Sequence, residues 1–183
     1  LGGAAMTGVV GLARTGVSSG SSGAASGRLG RGAASAGGRA LPEGGEVRAG
    51  ELRLSALWPP RDLTDAGRGV EENQLSIVLL AEWRHFSMLL TGDAEAEAVP
   101  LDPGPVDVLK LAHHGSADAG LEGLLERTAP RLAVISVGAD NPYGHPAAET
   151  VAELDTAPLR TLRTDDDGEI VIEVGPAGWA VTG

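Results

Sequence analysis

The residues of this chain that could do chemistry stand where apolar runs stop. Leu89-Leu90-Thr91-Gly92-Asp93 brings a carboxylate directly behind a strand-like run, with Gly92 permitting close backbone approach. A carboxylate there can bridge metal ions or accept backbone N–H bonds; it can equally cap a helix over 94–98. Val108-Leu109-Lys110-Leu111-Ala112 runs into His113-His114-Gly115-Ser116. Consecutive strand residues point to opposite faces, so the two histidines cannot both be ordinary core residues of one side. Imidazole suits zinc, manganese or iron, and also carries protons. Such a pair can be incidental; Gly115 and Ser116 behind it favour a tight, polar, functional turn. Asn141-Pro142-Tyr143-Gly144-His145-Pro146 reads either as a site loop or as a rigid helix entry with Pro146 in the first turn. Thr164-Asp165-Asp166-Asp167-Gly168 lacks the alternating ligands and terminal Glu of a calcium loop, and reads as a solvated hairpin turn. His85, beside Arg84 in another hairpin, reads as surface.

For these groups to meet, the runs ahead of them must be strands that end on one side of a sheet. The apolar pattern predicts a hairpin through Val47, Leu52, Leu54 and Leu57, stopped by Pro59-Pro60, then a loop over 61–72. Strands follow over 75–81 and 86–91, around a turn at 82–85, and a buried strand over 106–112. A helix over 121–127 closes at Pro130, and a strand occupies 132–137. A helix over 146–154 carries Glu149 near its positive end, and strands over 159–163 and 169–174 flank the acidic turn. Strands alternating with helices indicate an α/β layered domain.

A length of 183 residues suits one domain with a real core and is too short for two sizeable ones. The 14 basic and 25 acidic residues give a charge of −11, which argues against a general electrostatic grip on DNA or an anionic membrane. The absence of cysteine excludes disulfides, thiolate-bound zinc, iron–sulfur clusters and thiol catalysis. No run of about 18 apolar residues is present to make a membrane-spanning helix. The first 45 residues hold 14 of the 28 glycines, and residues 1–42 carry four arginines and no acid. Val17–Gly38 has no large apolar residue except Leu29, and cannot offset its ordering entropy by burial. The expected organisation is therefore a short helix within 1–16, a Gly/Ser/Ala-rich flexible linker or insertion over 17–45, and a folded body over 46–183.

The order of the motifs carries more than any one of them. Thr91-Gly92-Asp93, then Asp107 through Ser116, then Ser136-Val137-Gly138-Ala139-Asp140-Asn141-Pro142-Tyr143-Gly144-His145-Pro146, and finally Arg163 through Gly168 follow one another in this sequence. Together with Leu57-Trp58-Pro59-Pro60 and Asn73-x-x-Ser76-x-Val78-Leu79, this resembles the metallo-β-lactamase-like domain at the C-terminal end of the ComEC/Rec2 family. Members of that family are membrane channels for uptake of single-stranded DNA. The likeness covers residues 46–174. It implies a metallo-β-lactamase-like αββα sandwich, here as its C-terminal portion, and metal-assisted hydrolysis of a DNA phosphodiester. By the same resemblance Asp93 and His114 are metal ligands. His113 contacts substrate or relays a proton, and His145 with Tyr143 lines the pocket. Lys110, Ser116 and Asn73 contact substrate phosphate. The implied cofactor is a divalent metal, zinc or manganese, with no thiolate to favour zinc. The implied partners are single-stranded DNA and an upstream membrane channel of the same polypeptide, with the domain itself soluble and extracytoplasmic.

The superfamily's main metal motif, His-x-(His/Asp)-x-Asp-His, is absent, since none of the four histidines precedes His85. Leu1-Gly2-Gly3-Ala4 looks like the tail that follows that motif, so the sequence is expected to begin just after it. Two other readings stand beside the DNA hydrolase. One is a degenerate, non-catalytic module bracing a membrane transporter or binding a partner, which suits the −15 charge of residues 43–183. The other is a hydrolase of small phosphoesters or other esters on the same fold.

Overall fold

Leu132–Ile135 is buried at all four positions, a pattern suited to a strand covered on both faces. The computed structural model, which describes residues 8–12, 43–66, 71–96 and 102–183, gives this run such a place. In chain order the strands are β1 (Gly8–Leu12), β2 (Glu46–Ala49), β3 (Leu52–Trp58), β4 (Val78–Trp83), β5 (Phe86–Leu90) and β6 (Val108–Lys110). After them come β7 (Leu132–Ile135), β8 (Arg160–Arg163), β9 (Ile170–Gly175) and β10 (Gly178–Thr182). The helices are α1 (Arg61–Ala66), α2 (Leu121–Thr128) and α3 (Ala148–Thr156). Short 3-10 turns occupy Glu72–Leu75 and Ala112–Gly115.

Strands β2 to β8 form one seven-stranded sheet in sequence order. It is antiparallel from β2 to β5 and parallel from β5 to β8. A second sheet has β9 between β1 and β10, all antiparallel. The register rows explain the layering. Met88, Val108 and Leu132 share one row, and Leu89, Leu109 and Ala133 the next. Alternation sends the first row into the cluster with Ile170, Ile172 and Val174 of the small sheet. It sends the second row into the cluster with Leu121, Leu124 and Leu154 of α2 and α3. The body is thus helices on a large sheet, on a small sheet.

Asp107, just ahead of β6, ties the two sheets together. Its carboxylate accepts the Ser87 backbone N–H at 2.9 Å and the Trp179 indole N–H of β10 at 3.1 Å. Trp179 also packs edge-on against Phe86, with ring centroids 5.9 Å apart. Asp107→Ala leaves both donors without an acceptor and is expected to lower unfolding stability by about 2–3 kcal/mol. Asp107→Asn, which keeps one acceptor oxygen, should lose less. Urea unfolding of the three proteins checks this; an Ala variant within about 0.5 kcal/mol of the parent contradicts it.

Several sequence expectations need correction. Residues 8–12, expected within a short helix, form β1: Gly8 and Gly11 weaken a helix, Val9 and Val10 favour a strand, and β9 supplies the partner. The rest of 1–16, and residues 17–42 of the expected linker, lie outside the described residues. The expected loop over 61–72 contains α1, which starts right after Pro59-Pro60 and places Asp62 at its positive end. The strand expected over 106–112 is cut to three residues, because the chain turns left-handed at His113. The short strand β10 escaped the apolar pattern.

Candidate functional site

Because β5, β6, β7 and β8 are parallel, the four loops singled out in the sequence all leave the same edge of the sheet. Thr91–Glu95 follows β5, His113–Ser116 follows β6, Asn141–Pro146 follows β7 and the acidic turn follows β8. This juxtaposition is a property of topology, independent of side chains.

Among the described residues, the histidine turn is where two consecutive residues other than glycine take positive φ. His113 and His114 have φ of 44° and 56°, consecutive left-handed residues without the freedom of glycine, and Gly115 follows at 78°. Such conformations cost about 1–2 kcal/mol per residue and persist only where the surroundings impose them. Here the surroundings are explicit. The His113 N–H donates to Gly92 O at 3.1 Å, and the Ser116 N–H to His113 O at 3.0 Å. Gly115 O accepts from the Ala147 N–H at 2.8 Å, which couples the turn to the loop carrying His145. Thr150 Oγ1 donates to Ser116 O at 2.7 Å from α3.

The two imidazoles have different anchors. His114 Nδ1 lies 2.6 Å from Ser136 O, so Nδ1 is the donor and Nε2 is left facing Asp93, whose carboxylate oxygen is 4.0 Å away. His113 Nδ1 lies 2.8 Å from Glu95 Oε1, and the Ser116 hydroxyl donates to the same oxygen. Asn73, on the 3-10 turn before β4, sits 3.3 Å from His113 Nδ1. The His145 ring lies 5.2 Å from that of His113, centroid to centroid. Burial, then the neighbouring His113 and His114, hold the His145 imidazole below its ordinary pKa, with Glu95 opposing.

Lys110 is a stitch between loops. Its side chain shares a register row with Leu90, and its ammonium donates to Gly92 O at 3.2 Å and Leu111 O at 3.0 Å. Burial holds its pKa below the ordinary lysine value, with Asp93 opposing. Thr91 Oγ1 completes the stitch by donating to Lys110 O at 2.7 Å.

The structure therefore brings Asp93, His113, His114, His145, Asn73 and Lys110 to one edge. Ser116 is buried behind them with its hydroxyl on Glu95. Tyr143 stands apart, 82% exposed at the tip of its loop. That loop is braced by Asn141, which accepts from the Tyr143 N–H at 2.9 Å and donates to His145 O at 2.7 Å. The acidic turn is internally satisfied: Asp165 pairs with Arg163, and Asp167 accepts the Arg163 N–H at 2.7 Å. Glu95 is the residue that sequence reasoning missed. Reading 94–98 as a possible helix hid it; in a non-helical segment a carboxylate two residues beyond Asp93 was the available signal.

The donors fit a divalent cation in type. An imidazole nitrogen and a carboxylate oxygen 4.0 Å apart are a little wider than the roughly 3.4 Å between two ligands of one tetrahedral ion, so one side chain would have to close in. They do not fit it in number. Among the described residues no group of three or more His, Cys, Asp or Glu is arranged to hold a metal.

No family model matches the chain. It is 34% identical over 125 residues to ComE operon protein 3 of Bacillus subtilis (strain 168), covering 66% of this chain and 16% of that protein. It is 41% identical over 98 residues to Recombination protein 2 of Haemophilus influenzae (strain ATCC 51907 / DSM 11121 / KW20 / Rd), covering 52% of this chain and 12% of that protein. The chain thus spans less than a fifth of either relative. A protein from Parabacteroides distasonis ATCC 8503 described as a metal-dependent hydrolase shares the fold, with a TM-score of 0.50 and 13% identity over 73% of this chain and 60% of its own. The layered two-sheet architecture is that of the metallo-β-lactamase-like fold, and by sequence the chain belongs to the ComEC/Rec2 family.

Proposed function

We propose that this chain is part of a metal-dependent phosphodiester hydrolase, working within a longer ComEC/Rec2-type polypeptide on single-stranded DNA during uptake. The observation that carries the reading is the strained His113-His114 turn, which sets imidazoles beside Asp93 at the edge where four parallel strands end. Strain of this kind collects where geometry serves chemistry rather than stability. Asp93 and His114 would hold a divalent ion, zinc or manganese, with the remaining donors supplied by another part of the longer polypeptide. When bound, such an ion supplies an activated water and offsets charge on the phosphoryl oxygens. The chain's own residues do the rest. His114 is oriented by Ser136 O, and Lys110 fixes the backbone on which Asp93 sits. His113 and His145 offer imidazole nitrogens for substrate contact or proton transfer, with Asn73 beside His113 and Tyr143 exposed at the tip of the His145 loop. The folded body over 46–183 belongs, in this reading, to an extracytoplasmic domain on a membrane channel.

Two donors cannot approach the roughly 10–16 kcal/mol of a full structural zinc site. The purified 183-residue chain is therefore expected to bind Mn²⁺ or Zn²⁺ more weakly than about 1 µM by calorimetry, and not to cleave single-stranded oligonucleotides. Efficient metal-dependent cleavage by this chain alone contradicts that expectation. A second reading, a non-catalytic module, is favoured by the −11 charge, since phosphate binding normally shows a basic face. Cleavage by the longer polypeptide, compared on single-stranded DNA and on a small chromogenic phosphodiester, separates DNA hydrolase, small-ester hydrolase and brace.

A further inference from the structure

We infer that Glu95 is a positioning residue for His113, fixing its ring as the Nδ1–H tautomer so that Nε2 carries the free lone pair. The two adjacent histidines then share a tautomer imposed by unlike anchors: a backbone carbonyl, Ser136 O, for His114 and a carboxylate for His113. An ionised carboxylate only accepts, so a 2.8 Å contact makes Nδ1 the donor. Asn73 Nδ2 lies 3.3 Å from the same nitrogen, the longer of its two contacts, and with the Nδ1 proton directed at Glu95 that approach is not a hydrogen bond.

Glu95 is itself held. The Ser116 hydroxyl donates to the oxygen that receives His113, and the next residue, Ala96, donates its N–H to Asp118 at 2.6 Å. Asp118 also accepts the Gly120 N–H, so the support reaches the start of α2. The carboxylate cannot swing away without breaking bonds from two directions. With Nδ1 donating, each ring keeps its Nε2 lone pair free. Any use of these lone pairs in catalysis rests on the hydrolytic reading above; the positioning does not.

Long-range ¹H–¹⁵N correlation spectra of the full chain at about pH 8, where free imidazole is neutral, distinguish the two nitrogens directly. Both His113 and His114 are expected as the Nδ1–H form. In Glu95→Ala the Nδ1–H to Nε2–H ratio of His113 should fall tenfold or more, while His114 keeps its signature. Glu95→Gln, which retains an acceptor oxygen, should largely restore the His113 ratio. An Nε2–H form of His113 in the unaltered chain, or an unchanged ratio in Glu95→Ala, overturns the inference. Should the Ala variant disturb the whole turn, seen as a shift at His114 too, the Gln variant decides: retention of Nδ1–H supports the inference and its loss overturns it. Neither metal nor DNA enters this measurement, so failure to find hydrolysis in the longer polypeptide leaves it intact.

Discussion

Replacing Gly115 with Ala is expected to cost the fold about 2–5 kcal/mol, a large fraction of the stability of an ordinary domain. Two independent terms contribute. The residue sits at φ +78°, where an L side chain is disfavoured by about 1–2 kcal/mol. An added Cβ would also stand 2.8 Å from Pro146 Cβ and 3.2 Å from Ile135 Cγ2. Pro146 is a ring fixed to the backbone and Ile135 is wholly buried, so neither can yield cheaply, and overpacking adds about 1–3 kcal/mol. Gly168 provides the control. Its φ is +79°, yet nothing lies within 4 Å of an added Cβ. Gly168→Ala should therefore lose only the conformational part, about 1–2 kcal/mol. Urea unfolding of both variants separates conformation from collision; equal losses at the two sites refute the packing argument.

The second large effect concerns Asp93. If the longer polypeptide hydrolyses single-stranded DNA as proposed, Asp93→Asn should reduce cleavage of an oligonucleotide on the order of 10³-fold, since loss of the proposed metal ligand would remove several kcal/mol of barrier lowering. The side chain keeps its size and its perch after Gly92, so little stability should be lost. His114→Ala should cause a similar fall, and the double variant should be scarcely worse than either, because residues that serve one ion act as a unit. If the single variants retain full activity, the non-catalytic module becomes the better account.

Legibility in the sequence followed the range of the forces involved. Leu132–Ile135 and Phe86–Leu90 announce themselves because burial is written in their composition. The loops after β5, β6 and β7 were found for the same reason: polar residues abruptly following such runs are conspicuous. What failed depended on distant partners. β1 is a strand only by pairing with β9, over a hundred residues away. β10 alternates too gently to declare a face, and it returns on β9 through a tight turn. Glu95 gained its meaning from His113 and Ser116, which neither spacing nor charge could place against it. His114's anchor is a backbone carbonyl, a group every residue has and no sequence distinguishes. The exposure of Tyr143 likewise follows from how Asn141 folds the loop on itself.

The shortness of β6 has a bearing on rigidity. Its three residues are flanked on both sides by parallel strands, with Val108 and Leu109 wholly buried, and the histidine turn begins two residues later. Leu111 continues the ladder by donating to Val134 O, and His113 reaches back to Gly92 O. Amides so deeply placed exchange with solvent only when the whole body opens. The backbone of the histidine turn is therefore expected to open with the central strands, and in the reading proposed above a visiting substrate would meet imidazoles already arranged, with little entropy left to lose on engagement. Recognition by this edge would be limited by what can reach it, not by how it must rearrange.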